Sequence, residues 1–266
     1  MHDDPSIIDF GRRSDDYATL RPGFPDSFYD RLEAHVALPH TTAVDLGTGP
    51  GVVALALAER GATVTGVDIA DNQIAAARRR ATELGLDDRA QFRVGPAEET
   101  QLADESADLV IAGQCWGWFD HDRAMAEVVR LLRPGGTHVI AYFCYLPGRS
   151  AVAGRTEQLI KEHNPAWAMG GRDGIYEDHI EAMQVLGMQL VEQFCYDHLQ
   201  PFTHEQWRGR IRTSNGVGSG VMSDQQVDDF DRALAALLET EFPAEPLMIE
   251  HRVWAVITRK PVAVRP

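Results

Sequence analysis

Three alternating glycines stand behind an acid in Asp45-Leu46-Gly47-Thr48-Gly49-Pro50-Gly51, and this is the stretch whose residue types and spacing could hold a ligand. It continues a short apolar run from Val44 and leads directly into Val52-Val53-Ala54-Leu55-Ala56-Leu57-Ala58-Glu59. Strand, glycine turn and helix in that order open a nucleotide-binding βαβ unit. Glycine tolerates positive φ and lets a ligand approach the backbone closely. The helix start then presents N–H groups that have no partner inside the helix. A second apolar run, Ala62 to Val67, ends in Asp68 followed by Ile69. A carboxylate at a strand end beside a glycine turn can accept two hydrogen bonds from a ribose diol. The acid that leads the glycines, Asp45, would repel a pyrophosphate and attract an ammonium group. Gly47, Thr48, Gly49, Gly51, Asp68 and Ile69 are therefore candidate contacts for a nucleoside with a zwitterionic tail and no phosphate, which describes S-adenosylmethionine.

The elements that must position these groups alternate. Strands are predicted at 43–46, 62–67, 90–94, 107–112 and 137–144. Helices are predicted at about 26–38, 51–60, 71–84 and 122–132, with a short turn near 98–102. This is an α/β pattern, hence a parallel sheet with helices on both faces. Right-handed crossovers align the strand C-termini along one edge, where ligands bind at the point of strand-order reversal. Gly47, Asp68, Ala97 and Gln114 all fall at or just past such strand ends. Later, a helix near 177–186, strands at about 188–198 and 251–259, and a helix over about 224–240 complete the pattern.

Five stretches in this order resemble the class I S-adenosylmethionine-dependent methyltransferases. They are Val44 to Gly51, Val67-Asp68, Gly95-Pro96-Ala97-Glu98, Ala107-Asp108-Leu109-Val110, and Leu131-Leu132-Arg133-Pro134-Gly135-Gly136. The resemblance implies a Rossmann-like, doubly wound, seven-stranded, mostly parallel sheet with an antiparallel last strand and helical lid insertions. It implies one methyltransferase domain over 1–266, with an N-terminal cap at 1–40, a cofactor-binding core at 43–145, and lid segments at 148–176 and 200–240. It also implies that Ala97 lies against adenine and Glu98 reaches its amine, although Glu98 equally suits a helix N-terminus. Tyr17 and Arg21, in a Tyr-x-x-x-Arg-Pro pattern similar to one in small-molecule members, become candidates for closing the cofactor pocket. A structural Tyr and a surface Arg are the plainer alternative.

The acceptor side is sought after the fourth strand, in Gln114-Cys115-Trp116-Gly117-Trp118-Phe119-Asp120. In an extended segment Trp116 and Trp118 would point to opposite sides, and one could face a sulfonium. The family's small-molecule branch often has His where this chain has Gly117. His121, Tyr142, Tyr145 and His179 are the possible bases, with His121 first because it follows the fourth strand. Tyr142 is also a candidate for lining the acceptor site. Gly209-Arg210-Ile211-Arg212-Thr213-Ser214 is similar to a stretch of the trans-aconitate methyltransferase-like branch, which makes Arg210 or Arg212 a candidate for an anionic acceptor. Arginines paired with acids explain them equally well. The loop Ser214 to Gly220 reads as a flexible part of a lid.

Composition narrows the partners. A net charge of −15 argues against nucleic acid and anionic membranes. No apolar run approaches a membrane span, and the acidic start Met1-His2-Asp3-Asp4-Pro5 lacks a secretory signal. Cys115, Cys144 and Cys195 read as free thiols in a reducing, cytoplasmic compartment. The ten histidines form no HxxxH pattern and no CxxC occurs, so no metal is expected. The expectation is a monomeric or homodimeric methyltransferase that moves a methyl group in line from S-adenosylmethionine to a small carboxylate or hydroxyl acceptor, leaving S-adenosylhomocysteine. The competing reading is a cofactor-binding protein or non-methylating enzyme on the same scaffold.

Overall fold

The computed structural model describes residues 22–184, 186–218 and 222–262. Tyr17 and Arg21 lie outside the described residues. Their proposed role in closing the pocket stays an expectation.

The described chain divides into two compact units. The first contains Gly23–Tyr142, Tyr176–Cys195 and the chain from Val253 onward. It opens with α1 (Asp26–Glu33), then β1 (Thr42–Leu46), α2 (Val52–Glu59), β2 (Thr63–Asp68), α3 (Asp71–Glu83), β3 (Ala90–Val94), β4 (Ala107–Gly113) and α4 (His121–Leu131). The chain then enters β5 (Leu132–Tyr145) up to Tyr142, and later supplies α6 (Asp178–Gln184), the first half of β6 (Gln189–Phe202) and the second half of β7 (Leu247–Arg259). Strand order is β3-β2-β1-β4-β5-β7-β6.

β1 is buried at four of its five residues, as a strand covered on both faces must be. It pairs in parallel with β2 and with β4, Asp45 lying opposite Gly66 on one side and Ile111 on the other. β2–β3 and β4–β5 are also parallel. β7 is antiparallel to β5: the Gly135 N–H donates to the Lys260 carbonyl, and the Lys260 N–H returns to that of Gly136, both at 2.9 Å. The chain travels outward from β1 to β3 and returns to β4, so the order reverses between β1 and β4. That reversal sets the position of the site. α2 carries Val53, Ala54, Leu55, Leu57 and Ala58 all buried, the all-round apolar character of a helix packed on a sheet.

Two local expectations are corrected. The short turn expected near 98–102 falls at 97–98, does not continue as a helix, and gives way to a positive φ of 58° at Gln101. The fifth strand, expected over 137–144, is longer: β5 already starts at Leu132 and runs through Pro134-Gly135-Gly136. Gly135, at φ 82°, bends the strand start so that its N–H still reaches β7.

The second unit contains Phe143–Ile175 and Tyr196–Arg252. Its helices are α5 (Ala151–His163), α7 (His204–Arg212) and α8 (Asp224–Glu241). Their core includes Val152, Ile160, Trp207, Ile211, Phe230 and Leu234. The Trp207 indole N–H donates to Thr156 Oγ1 at 3.0 Å, which satisfies the one polar atom of a fully buried ring. Thr203 with Gln206, and Ser223 with Gln226, form reciprocal capping boxes on α7 and α8, each cap worth about 1 kcal/mol. The loop from Ser214 is not open: Asn164 Nδ2 donates to the Gly216 carbonyl at 3.1 Å, and Val217 is fully buried. A Cβ on Gly216 would lie 2.9 Å from Ile160 and Trp167. This part of the expected flexible loop is instead packed core. No described helix is long and apolar enough to cross a membrane.

Candidate cofactor site

The glycine turn after β1 takes the left-handed backbone at Gly47, Gly49 and Gly51, with φ of 63°, 53° and 79°. The glycines differ in what they face. A Cβ on Gly47 would come within 2.8 Å of Cys115 Sγ, and one on Gly51 within 3.0 Å of the Phe92 ring. A Cβ on Gly49 would meet nothing within 4 Å. The turn is thus pressed onto the fold at its two ends and open at its middle, which forms a cradle.

Asp68 fastens that cradle to β2. Its Oδ2 accepts the Gly49 N–H at 2.8 Å and its Oδ1 accepts the Ala70 N–H at 2.9 Å. The Thr48 N–H adds a bond to the Val67 carbonyl at 3.0 Å. Burial raises the Asp68 carboxyl above its ordinary range, opposed by the N–H bonds from Ala70, Gly49 and Ile69. Each carboxylate oxygen can accept more than one bond, so the clamp leaves capacity for a diol. Ile69 beside it is 76% exposed, an apolar side chain held out at the strand edge. Ala97 is buried after β3.

Asp45, the acid expected to attract an ammonium group, lies buried beneath the turn. It is 1% exposed and accepts the Thr48 hydroxyl at 2.6 Å. Burial pushes its carboxyl up to about 7, against the bonds from Thr48 and the Ala54 N–H. Buried under the turn, Asp45 ties the loop to the start of α2.

After β4, Gln114 takes a positive φ of 69° and its N–H bonds the Ala141 carbonyl at 2.8 Å. Residues Trp116–Trp118 then form a 3-10 turn, not the extended segment that would alternate the two tryptophans. Trp116 is fully buried, stacked on His121 and edge-on to Phe119, and it is a packing residue. Trp118 is half-buried. Glu98 accepts the Asp120 N–H at 2.9 Å, and Asp120 caps α4 by accepting the Arg123 N–H. Glu98 therefore braces a turn instead of starting a helix. His121 begins α4 with Nε2 at 3.2 Å from the Trp116 carbonyl. A carbonyl only accepts, so that nitrogen carries the proton in this bond and cannot itself take one. Tyr142 is 6% exposed, and its hydroxyl accepts the Gly117 N–H at 3.0 Å.

In the second unit, Arg212 bonds Asp231 at 2.9 Å and Glu205 at 3.0 Å, and Arg208 bonds the same Asp231. These acids explain Arg212, and the anion-recognition expectation for it is withdrawn. Arg210 is 7% exposed and lies 4.8 Å over the Tyr145 ring.

Sequence reasoning overlooked Gly66, Cys115 and Phe119. A Cβ on Gly66 would fall 2.7 Å from both Phe92 and Thr48 Oγ1, so the turn can settle on β2 only because that residue is glycine. A glycine inside a strand is itself a signal of close approach. Cys115 donates to the Leu46 carbonyl at 3.0 Å beneath Gly47, and burial holds its thiol well above the usual range, which makes it inert.

Residues 44–140 match the family described as a methyltransferase domain. An uncharacterised methyltransferase of Mycobacterium tuberculosis is 35% identical over 129 residues, 48% of this chain and 49% of that protein. The ubiquinone biosynthesis O-methyltransferase of Xanthomonas campestris is 27% identical over 190 residues, 70% of this chain and 76% of that protein. The crystal structure of the 4+2 cyclase SpnF shares the fold, with a TM-score of 0.57, 21% identity, and coverage of 90% of this chain and 82% of that one. The chain spans about half the length of several curated relatives that it matches.

Strand order, the turn after β1 and the match of residues 44–140 to a methyltransferase-domain family agree with the fold of the class I S-adenosylmethionine-dependent methyltransferases. The residues also fit that cofactor on structural grounds. The open face at Gly49 admits a ligand against the backbone, Asp68 lies at its rim with acceptor capacity, and exposed Ile69 offers an apolar surface for a base.

Proposed function

We propose that this protein is an S-adenosylmethionine-dependent methyltransferase with a small-molecule acceptor. The observation that carries the reading is the Asp68 carboxylate bonded to the Gly49 N–H beside an open glycine face, at the strand-order reversal. Gly47, Thr48, Gly49 and Gly51 would form the cradle, Asp68 would hold the ribose diol, and Ile69 and Ala97 would flank the adenine. When bound, S-adenosylmethionine supplies a methyl group already activated on a sulfonium. The protein's task is then to hold the acceptor in line, exclude water and manage the acceptor's proton. Gln114, just past β4, would complete the cofactor contacts, and Trp118 and Tyr142 are assigned to the acceptor side, because they follow β4 and lie near the end of β5. Arg210, buried against Tyr145 within the second unit, is proposed to recognise an anionic group, in keeping with the trans-aconitate methyltransferase-like resemblance.

The test is turnover. Purified protein is incubated with methyl-labelled S-adenosylmethionine and a set of small hydroxylated and carboxylated molecules. The reading expects label in an acceptor and stoichiometric S-adenosylhomocysteine. Tight cofactor binding with no label transferred to any of them would favour the non-methylating alternative on this scaffold.

A further inference from the structure

We propose that Tyr142 and His179 act as one proton-accepting pair for an acceptor that is methylated on a hydroxyl oxygen. This rests on the methyltransferase reading and deepens it. The pair belongs wholly to the first unit. Tyr142 Oη and His179 Nε2 are 3.1 Å apart, and the side chains are 6% and 9% exposed. The phenol oxygen also accepts the Gly117 N–H at 3.0 Å. That bond uses an oxygen lone pair and favours negative charge on the phenol, so the phenolic proton is the one that can move to Nε2.

The rings are fixed in place. Tyr176 stacks on Tyr142 with centroids 3.8 Å apart and lies parallel to His179, while Trp254 packs edge-on to both Tyr176 and His179. Among the described residues, the titratable groups whose rings face His179 include Tyr142 from β5, Tyr176 just before α6, and His121 from α4, whose ring is edge-on at 5.4 Å. His121 is held by its bond to the Trp116 carbonyl and is excluded at Nε2.

The turn Trp116–Trp118 links this pair to the cradle. At its start Cys115 lies under Gly47, within 2.8 Å of where a Cβ would sit. At its middle the exposed Gly117 donates to Tyr142. A Cβ on Gly117 would stand 3.6 Å from the Tyr142 hydroxyl, so this turn brings position 117 into contact range of the pair.

The step balances. The acceptor's O–H bond breaks and its proton passes to Tyr142 Oη. The phenolic proton passes to His179 Nε2, leaving an oxygen anion on the acceptor and an imidazolium on His179. The acceptor oxygen takes the methyl carbon as the carbon–sulfur bond breaks, with its electron pair remaining on sulfur. The imidazolium then returns its proton to solvent. Tyr142 is the group in contact with the acceptor, and His179 is its positioning and proton-storing partner.

The probe is 4-nitrophenol, whose ionised form is coloured. Wild type, Tyr142→Phe and His179→Gln are each saturated with S-adenosylhomocysteine, with saturation checked by calorimetry, and titrated with the dye across pH. In wild type the bound dye should ionise with about a tenfold gain in acidity over free dye, because the pair takes its proton. Each variant should lose that gain while keeping its S-adenosylhomocysteine affinity. Equal dye ionisation in wild type and both variants, or no saturable dye binding to the loaded wild type, overturns the proposal. A folded wild type that does not bind S-adenosylhomocysteine would instead sink the cofactor reading on which it rests.

Discussion

The backbone N–H of Gly49 donates to Asp68 Oδ2 at 2.8 Å, so the acid that ends β2 also holds the turn that ends β1. One side chain thus has two duties: to shape the cradle and to meet the ribose. Asp68→Asn keeps the size but gives up the charge that strengthens both bonds. Hydrogen bonds to charged groups are worth about 1.5–3 kcal/mol, so S-adenosylhomocysteine affinity should fall by roughly tenfold to a hundredfold. Calorimetry measures it, and an unchanged affinity would remove Asp68 from the site.

Gly47→Ala should destabilise the protein through two separable effects. A left-handed backbone at a non-glycine residue costs about 1–3 kcal/mol. The new methyl would also overlap Cys115 Sγ at 2.8 Å. Cys115→Ala in the same chain should recover the steric part and leave the backbone part. Urea unfolding of the two single variants and the double variant gives the coupling directly.

Asp45 predicts a pH dependence with a definite sign. Its carboxyl is pushed up to about 7 in the folded state, against an ordinary value near 3.8. The folded state holds this proton more tightly, so the stability it contributes is full below about pH 4 and is lost as pH rises through 7. The size is on the order of a few kcal/mol. Asp45→Asn should flatten that part of the profile. Denaturant unfolding of both proteins at pH 5 and pH 8 checks it: wild type should lose more stability than the variant between the two.

Trp116 and Trp118 should separate cleanly. Trp116 is fully buried, and truncating it to Ala should cost about 3–5 kcal/mol. Trp118 is half-buried, and Trp118→Ala should change thermal stability little while altering acceptor turnover. Equal loss of stability in both would contradict the structure of the 3-10 turn.

Much of the fold was legible because its signals are local. Glycine spacing, the apolar runs of β1 to β4 and the acid after β2 each follow from neighbours in sequence, and their ends shifted by only a residue or so. Less legible were features that depend on distant partners. Nothing near Asp45 shows that it turns under the loop toward Ala54. Nothing near Trp116 shows that a 3-10 turn buries it against His121 and His138. Arg212 was ambiguous because its partner Asp231 stands on another helix. The Tyr142–His179 contact joins β5 to α6 across a long insertion, and both residues had been named singly as possible bases.

The most direct test of the central claim is calorimetric titration of the wild-type protein with S-adenosylmethionine and S-adenosylhomocysteine, with Gly49→Val alongside. The open face at Gly49 predicts saturable, one-to-one binding of both by wild type, and loss of both when a branched side chain fills that space. A folded wild type that binds neither, or a Gly49→Val variant that binds both unchanged, would contradict the assignment of this turn as the cofactor cradle.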